Sequence, residues 1–287
     1  MLTYFQAIVL GLLQGFSELF PISSLGHSVI LPKLVGWNIS QHGDTYLTFL
    51  VALHLATSLV LLGFFWKDWV RIVKGIGRSL AEREIRPSDT DARLGWLLVV
   101  GTIPAGLLGI LFQDKLKALF VAPLDASILL IVNGLMLLLA ERWRRSPHRT
   151  VTEAHSDERI AQTSWWHSFG IGAAQALALF PGISRSGGAM SGGLLFGLSN
   201  EDSARFAFLL ATPIIGAAAL LKLPQLFSSQ SQLVGLAAVG GIAAAISAYL
   251  SIRFLVKYFE TKRLDPFGYY SLAVGAITAV LFLTTLR

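Results

Sequence analysis

The chain has 287 residues, 54% of them hydrophobic and 14% charged, with a mean hydropathy of +0.63. A soluble domain carries about a quarter charged residues, so most of this surface does not face water. Cysteine is absent, which excludes disulfides, thiolate metal sites and a cysteine nucleophile. The net charge of +6 sits in loops between apolar runs, a pattern that fits a membrane protein and argues against nucleic acid.

The first apolar run, Leu2–Leu13, has no basic region before it and leads straight into polar residues, so it does not read as a cleavable signal peptide. At about 12 residues it falls short of the roughly 20 needed to cross a bilayer. Six later stretches are long enough, or nearly so, to span as helices: Leu47–Trp66, Leu94–Phe112, Ala126–Ala140, Phe206–Leu221, Leu233–Leu255 and Phe267–Leu286. Two further stretches, Leu2–Leu34 and Trp165–Leu198, are broken by Pro, Gly, Ser and charged residues. Non-helical backbone at membrane depth survives only beside protein or a water-filled cavity, so both are read as re-entrant helix hairpins.

Loop charges set the topology. If each hairpin returns to the side it came from, the loops Lys67–Arg93, Arg142–Arg159 and Arg253–Arg263 share one face and hold sixteen Lys/Arg. The other face keeps five: Lys33, Lys115, Lys117, Lys222 and Arg287. The first group is therefore cytoplasmic, and both termini lie outside.

The halves also resemble each other. Gln14 to Ser23 reads QGFSELFPIS and Gln175 to Ser184 reads QALALFPGIS, while Leu55-Ala56-Thr57 is echoed by Leu210-Ala211-Thr212. Residues 1–141 and 165–287 thus read as two repeats of one hairpin and three spans. Three is odd, so the second repeat is inverted. The expected fold is an all-α integral membrane domain with an inverted-topology repeat and a site near the midplane where the broken helices meet.

The first break, QGFSELFPISSLGH, places Gln14 and Glu18 on one helix face. Pro21 stops that helix, Ser23 and Ser24 can turn hydroxyls inward, and His27 follows Ser24 by three, within reach of its proton if a helix restarts there. A carboxylate in an apolar setting costs roughly 2.5–3.5 kcal/mol and is normally paired or functional. The second break, PGISRSGGAMS from Pro181 to Ser191, sets Arg185 between Ser184 and Ser186 and before Gly187 and Gly188 at a helix start. Glycine amides, a helix N-terminus and a guanidinium fork together make an anion site for phosphate. A divalent cation, Mg2+ or Ca2+, is the natural bridge between Glu18 and a phosphate. His54 reads as a structural hydrogen bond inside a span, Ser199-Asn200-Glu201-Asp202 as a helix cap, and Trp165 and Trp166 as interfacial aromatics. His148, His155 and His167 show no metal-ligand spacing.

These motifs, with FLVALHLATSLV at Phe49–Val60 and the Gly101–Pro104 region, resemble the undecaprenyl-pyrophosphate phosphatase family, the bacterial bacitracin-resistance proteins. The resemblance covers nearly the whole chain. It implies hydrolysis of undecaprenyl pyrophosphate to the monophosphate in a bacterial plasma membrane, at a cavity open to the outer face. It implies Glu18 as a residue that holds the metal, with Gln14, or assists proton transfer, and Ser24 as the candidate nucleophile. His27 is then its base or an alternative nucleophile. Arg185 becomes the phosphate-binding arginine, with Ser23, Ser184, Ser186 and Gly187 around the substrate. The family's common pattern has threonines where this chain has Leu25 and Ala189, and Gln14 is a permitted variant of a glutamate. The partners implied are the polyprenyl pyrophosphate lipid and the bilayer, with a homodimer left open. A transporter or flippase of a phosphorylated polyprenyl lipid is the alternative from a different class.

Overall fold

A computed structural model describes residues 2–39, 44–111, 122–144, 155–227 and 231–284. Phe112, Lys115, Lys117, His148, Leu286 and Arg287 lie outside the described residues, as do the side chains of Leu221 and Lys222. The described secondary structure is all helical: α1 Tyr4–Leu19, α2 Ser24–Leu34, α3 Asp44–Phe64, α4 Trp66–Glu82, α5 Thr90–Leu111, α6 Pro123–Trp143, α7 Ser156–Ala161, α8 Trp165–Ala176, α9 Arg185–Leu195, α10 Asn200–Phe227, α11 Ser231–Phe259 and α12 Asp265–Thr284. Helices α3, α5, α6, α10, α11 and α12 contain the six segments long and apolar enough to cross a membrane. Their outer faces carry exposed Ile110, Ile242, Leu250 and Ile277, which water would not tolerate in such number but lipid does.

Each broken stretch resolves into two helices with a local cause for the break. Helix α1 opens on a capping box, Thr3 Oγ1 accepting from Gln6 N–H and Gln6 Oε1 from Thr3 N–H. It stops at Phe20, which is extended (ψ 142°) because Pro21 disfavours the helical region for the residue before it. Ser23 then caps α2, its Oγ accepting from Gly26 N–H at 3.2 Å. The second break repeats the logic. After one 3₁₀ turn at Leu177–Leu179, Phe180 is extended before Pro181, and Ser184 Oγ caps α9 by accepting from Gly187 N–H at 3.1 Å. Gly182 between them adopts φ +113°, where a Cβ would also approach the Ala126 carbonyl oxygen to 2.4 Å.

Small residues then let the backbones close in. A Cβ on Gly11 would come within 2.2 Å of the Gly240 carbonyl oxygen, so α1 lies directly on α11. Gly172 makes the matching approach to the Gly101 carbonyl at 2.1 Å, pressing α8 on α5. Such contacts substitute for the hydrophobic drive that lipid removes. The segments that carry the echoed triplets also meet, Ser58 Oγ, next to the first triplet, donating to the Thr212 carbonyl of the second across α3 and α10.

The stretch expected as a loop at Lys67–Arg93 contains the amphipathic helix α4, which crosses the start of α5. Trp96 Nε1 donates to Ser79 Oγ at 2.9 Å, and Gly75 sits against the Asp91–Ala92 backbone. Nearby, Asp157 on α7 accepts from Arg205 Nε at 2.6 Å and from Arg71 Nη2 at 3.0 Å. Burial alone would raise the Asp157 carboxyl, but the charges and hydrogen bonds of Arg205 and Arg71 outweigh it and hold it below the ordinary value.

Candidate active site

Both breaks end side by side. Asn133, the buried amide of α6, donates through Nδ2 to the Pro21 carbonyl at 2.9 Å and accepts through Oδ1 from Ser184 N–H at 2.9 Å. Ser23 Oγ accepts from Gly182 N–H at 3.2 Å, and Ser186 Oγ donates to the Phe20 carbonyl at 3.3 Å. Asn133 and the break residues themselves thus tie each break to the other.

This apposition fixes one carboxylate. Glu18, in the last turn of α1, is buried (6% exposed) and accepts on Oε1 from Arg185 Nη2 at 3.1 Å and Nε at 3.3 Å. On Oε2 it accepts from Gln14 Nε2 at 3.2 Å and from the Ser24 hydroxyl. His54 Nε2 stands 3.2 Å from the same oxygen, while its Nδ1 lies 2.8 Å from the Leu50 carbonyl. A buried charge is tolerated only when paired and hydrogen-bonded, and Glu18 meets that condition on both oxygens. Arg185 keeps one group in reserve: its Nη1 is buried and has no partner among the described residues.

Glu18, Ser23, Ser24, His54, Gln175, Ser184 and Arg185 form the polar end of a cavity of about 230 Å³. Its walls are apolar, among them Leu47, Leu50, Ile214 and Ala218. Helices α2 and α9 both begin at it, Ser24 and Arg185 being their first residues. Two N-termini and a guanidinium therefore face one small space, an electrostatic setting for an anion. The apolar walls suit a hydrocarbon chain attached to that anion.

The expected residues divide accordingly. Glu18, Ser23, Ser24, Ser184 and Arg185 line the cavity. Ser186 and Gly187 do not; they are buried behind it, bonded to Phe20, Ser184 and the cap. His27 also stands elsewhere. Its Nδ1 is 2.7 Å from the Ser23 carbonyl and its Nε2 3.0 Å from the Tyr270 hydroxyl, so both nitrogens are occupied away from Ser24. Helix α2 turns the imidazole toward α12 at this register, and the acceptor that reaches Ser24 is Glu18.

Sequence reasoning gave His54 a structural part, yet it is in direct contact with the central carboxylate. An ionisable residue within an apolar span was the signal available. It also passed over Asn133, the one amide in α6, and Gln175, the counterpart of Gln14, whose buried Oε1 has no partner among the described residues.

For a divalent cation, the described residues hold no group of three or more His, Asp or Glu side chains. They do offer Glu18 in the cavity lining and, one helical turn away and behind that lining, the buried Oε1 of Gln14, which has no partner among the described residues. Hard cations such as Mg2+ are often held by one or two protein oxygens plus substrate phosphates and water. The donor set fits a cation that arrives with a diphosphate.

Known proteins resemble this chain over nearly all of its length. Residues 7–277 match the family model described as bacitracin resistance protein BacA. The chain is 45% identical to the undecaprenyl-diphosphatase of Mycolicibacterium paratuberculosis and 45% identical to that of Mycobacterium avium, with 97% of each chain covered. It is 42% identical to undecaprenyl-diphosphatase 2 of Frankia alni over 98% of both chains.

Proposed function

The chain belongs to the bacitracin resistance protein BacA family, and on that premise we propose that it is a membrane phosphatase converting undecaprenyl pyrophosphate to undecaprenyl phosphate and inorganic phosphate. One observation carries the site assignment. Glu18 of the first break is bound at once by the Ser24 hydroxyl and by Arg185 of the second break, at the polar end of an apolar-walled cavity.

In this reading the prenyl chain follows the apolar wall and the diphosphate meets Arg185 and the N-termini of α2 and α9. The unpartnered Nη1 of Arg185 takes a phosphate oxygen. Glu18 accepts the Ser24 proton as Oγ attacks the terminal phosphorus, forming an O–P bond while the bridging P–O bond breaks and the lipid monophosphate leaves. Water then cleaves the phosphoserine and releases phosphate. Positioning and charge neutralisation supply most of the acceleration in such transfers. His54 keeps Glu18 aimed at Ser24 when Arg185 turns to the substrate. Glu18 and Gln14 would hold a divalent cation, which when bound offsets charge on the diphosphate.

The α1–α2 and α8–α9 pairs act as re-entrant hairpins of an inverted repeat. Support comes from the matching Oγ-to-amide cap bonds of Ser23 and Ser184 and from the matched Gly11–Gly240 and Gly172–Gly101 approaches. The charge bias of the loops supports a basic face in the cytoplasm, with the cavity mouth and both termini outside. Purified protein supplied with undecaprenyl or farnesyl pyrophosphate and Mg2+ or Ca2+ should release phosphate. No release, together with movement of the intact lipid across liposomes, would replace the phosphatase by a transporter.

A further inference from the structure

Gln175, in the last turn of α8, lines the same cavity as Glu18, Ser24 and Arg185. It is 1% exposed, and its Nε2 donates to the Gly101 carbonyl at 3.4 Å. That contact fixes the amide's orientation, because only its N–H side can face a carbonyl oxygen. The oxygen is left over: Oε1 is buried and has no partner among the described residues. A stranded buried acceptor costs about 1–3 kcal/mol, and the backbone that carries it is held from two sides. A Cβ on Gly172 would meet the Gly101 carbonyl oxygen of α5 at 2.1 Å. One on Gly188 of α9 would meet the Ala174 carbonyl oxygen at 2.6 Å and the Gln175 Cα at 3.2 Å.

The counterpart in the first break is differently placed. Gln14 has Glu18 four residues on and donates to it, behind the cavity lining. Four residues after Gln175 stands Leu179, in a 3₁₀ turn that brings Pro181 one residue earlier than Pro21 stands after Gln14. The first break therefore offers the cavity a carboxylate, and the second offers it an amide with a spare acceptor.

An amide oxygen binds donors only, and unprotonated phosphate oxygens repel it. The hydrolysis described above brings one small donor into this space, the water that cleaves phosphoserine. At about 30 Å³ a water fits beside a phosphate in the cavity of about 230 Å³. Glutamine side chains orient the attacking water in other phosphoryl transfers.

We propose that Gln175 is a catalytic residue of the second half-reaction, its Oε1 accepting a hydrogen bond from the water that attacks phosphorylated Ser24. The proposal rests on the phosphatase reading with Ser24 as nucleophile. Glu18 has by then passed the Ser24 proton to the departing lipid phosphate. The water oxygen bonds to phosphorus as the bond between phosphorus and Ser24 Oγ breaks. One water proton passes through Glu18 to Oγ, and the other, aimed at Gln175, stays on the released phosphate. The first half-reaction uses no water, so Gln175 has no part in its chemistry.

Single turnovers test this in the full-length protein, in detergent with Mg2+. Farnesyl pyrophosphate radiolabelled in its terminal phosphate, quenched in acid, reports phosphoserine as it forms and decays. Gln175→Leu should form phosphoserine within about threefold of the wild-type rate and hydrolyse it about 100-fold more slowly, so that label accumulates on Ser24. Gln175→Glu, which keeps an acceptor oxygen, should recover at least about tenfold of that loss. Equal slowing of formation and decay, the signature of a loosened cavity, would overturn the proposal. So would unchanged decay in Gln175→Leu or no recovery in Gln175→Glu. Phosphate release with no phosphoserine in any variant would overturn it too, while leaving the phosphatase reading in place. Wild type that releases no phosphate would remove both.

Discussion

Ser24 and Arg185 are each the first residue of a helix that follows a proline break, and they grip opposite oxygens of the same Glu18 carboxylate. One is a hydroxyl that must lose a proton to attack. The other is a cation that must bind what is attacked. Glu18 holds both until a diphosphate competes for Arg185.

Arg185→Lys should therefore fail almost as badly as Arg185→Ala. An ammonium cannot contact Glu18 and offer a second fork of donors to phosphate at once. A loss in kcat/KM of at least about 100-fold, near 3 kcal/mol of transition-state stabilisation, is expected for both. Phosphate release by protein that keeps its gel-filtration profile is the measurement, and a near-normal rate in either variant would remove Arg185 from the site.

His54 touches Glu18 and lines the cavity, so its effect should fall on turnover. His54→Ala is expected to lower kcat roughly 10- to 100-fold, the size of a lost positioning contact, with KM within about threefold. His54→Gln, which keeps an N–H donor, should recover part of the rate. A KM-only effect, or no rescue by glutamine, would return His54 to the structural part first given to it.

His27 and Ser24 should separate. Ser24→Ala is expected to abolish turnover and any acid-stable phosphoenzyme. His27→Ala should be matched by Tyr270→Phe, because the imidazole is bonded to that hydroxyl and to the Ser23 carbonyl. Recovery of phosphohistidine at position 27 from rapidly quenched enzyme would reverse the assignment.

Asn133→Leu removes the tie between the breaks and strands the Ser184 N–H and the Pro21 carbonyl. Each unsatisfied buried group costs about 1–3 kcal/mol. A lower Tm in detergent should accompany the lost activity, and unchanged stability would mean that the breaks hold together without it.

Asp157 contributes a pH term. Its folded carboxyl is depressed by Arg205 and Arg71, so the stability it adds is full above the unfolded value of about 3.9 and is lost as pH falls through the folded one. Thermal denaturation at pH 7 and in acid should show Asp157→Asn less stable than wild type at neutrality, with the gap narrowing as pH falls. A constant gap would show that the carboxylate's charge is not what stabilises.

Composition and pattern were enough to establish six spanning helices, because an apolar run near 20 residues has few alternatives. They also located both breaks, since each Phe-Pro step is followed by Ser and Gly that favour a turn and a new cap, whereas Pro32, Pro104 and Pro213, without that sequel, stay inside helices. Glu18, Ser24 and Arg185 stood out for the same local reason: polar groups amid apolar residues need a purpose. Helix α4 was hidden because its lysines and arginines, spread along one face, read as a hydrophilic loop. Which groups share a hydrogen bond was decided only by packing. The rotation of α2 sends His27 to Tyr270, α3 delivers His54 from thirty-six positions away in the chain, and Asn133 of α6 sets the distance between the breaks. Those contacts depend on helix register across close backbone crossings such as Gly11–Gly240, a relation between distant segments that no local spacing encodes.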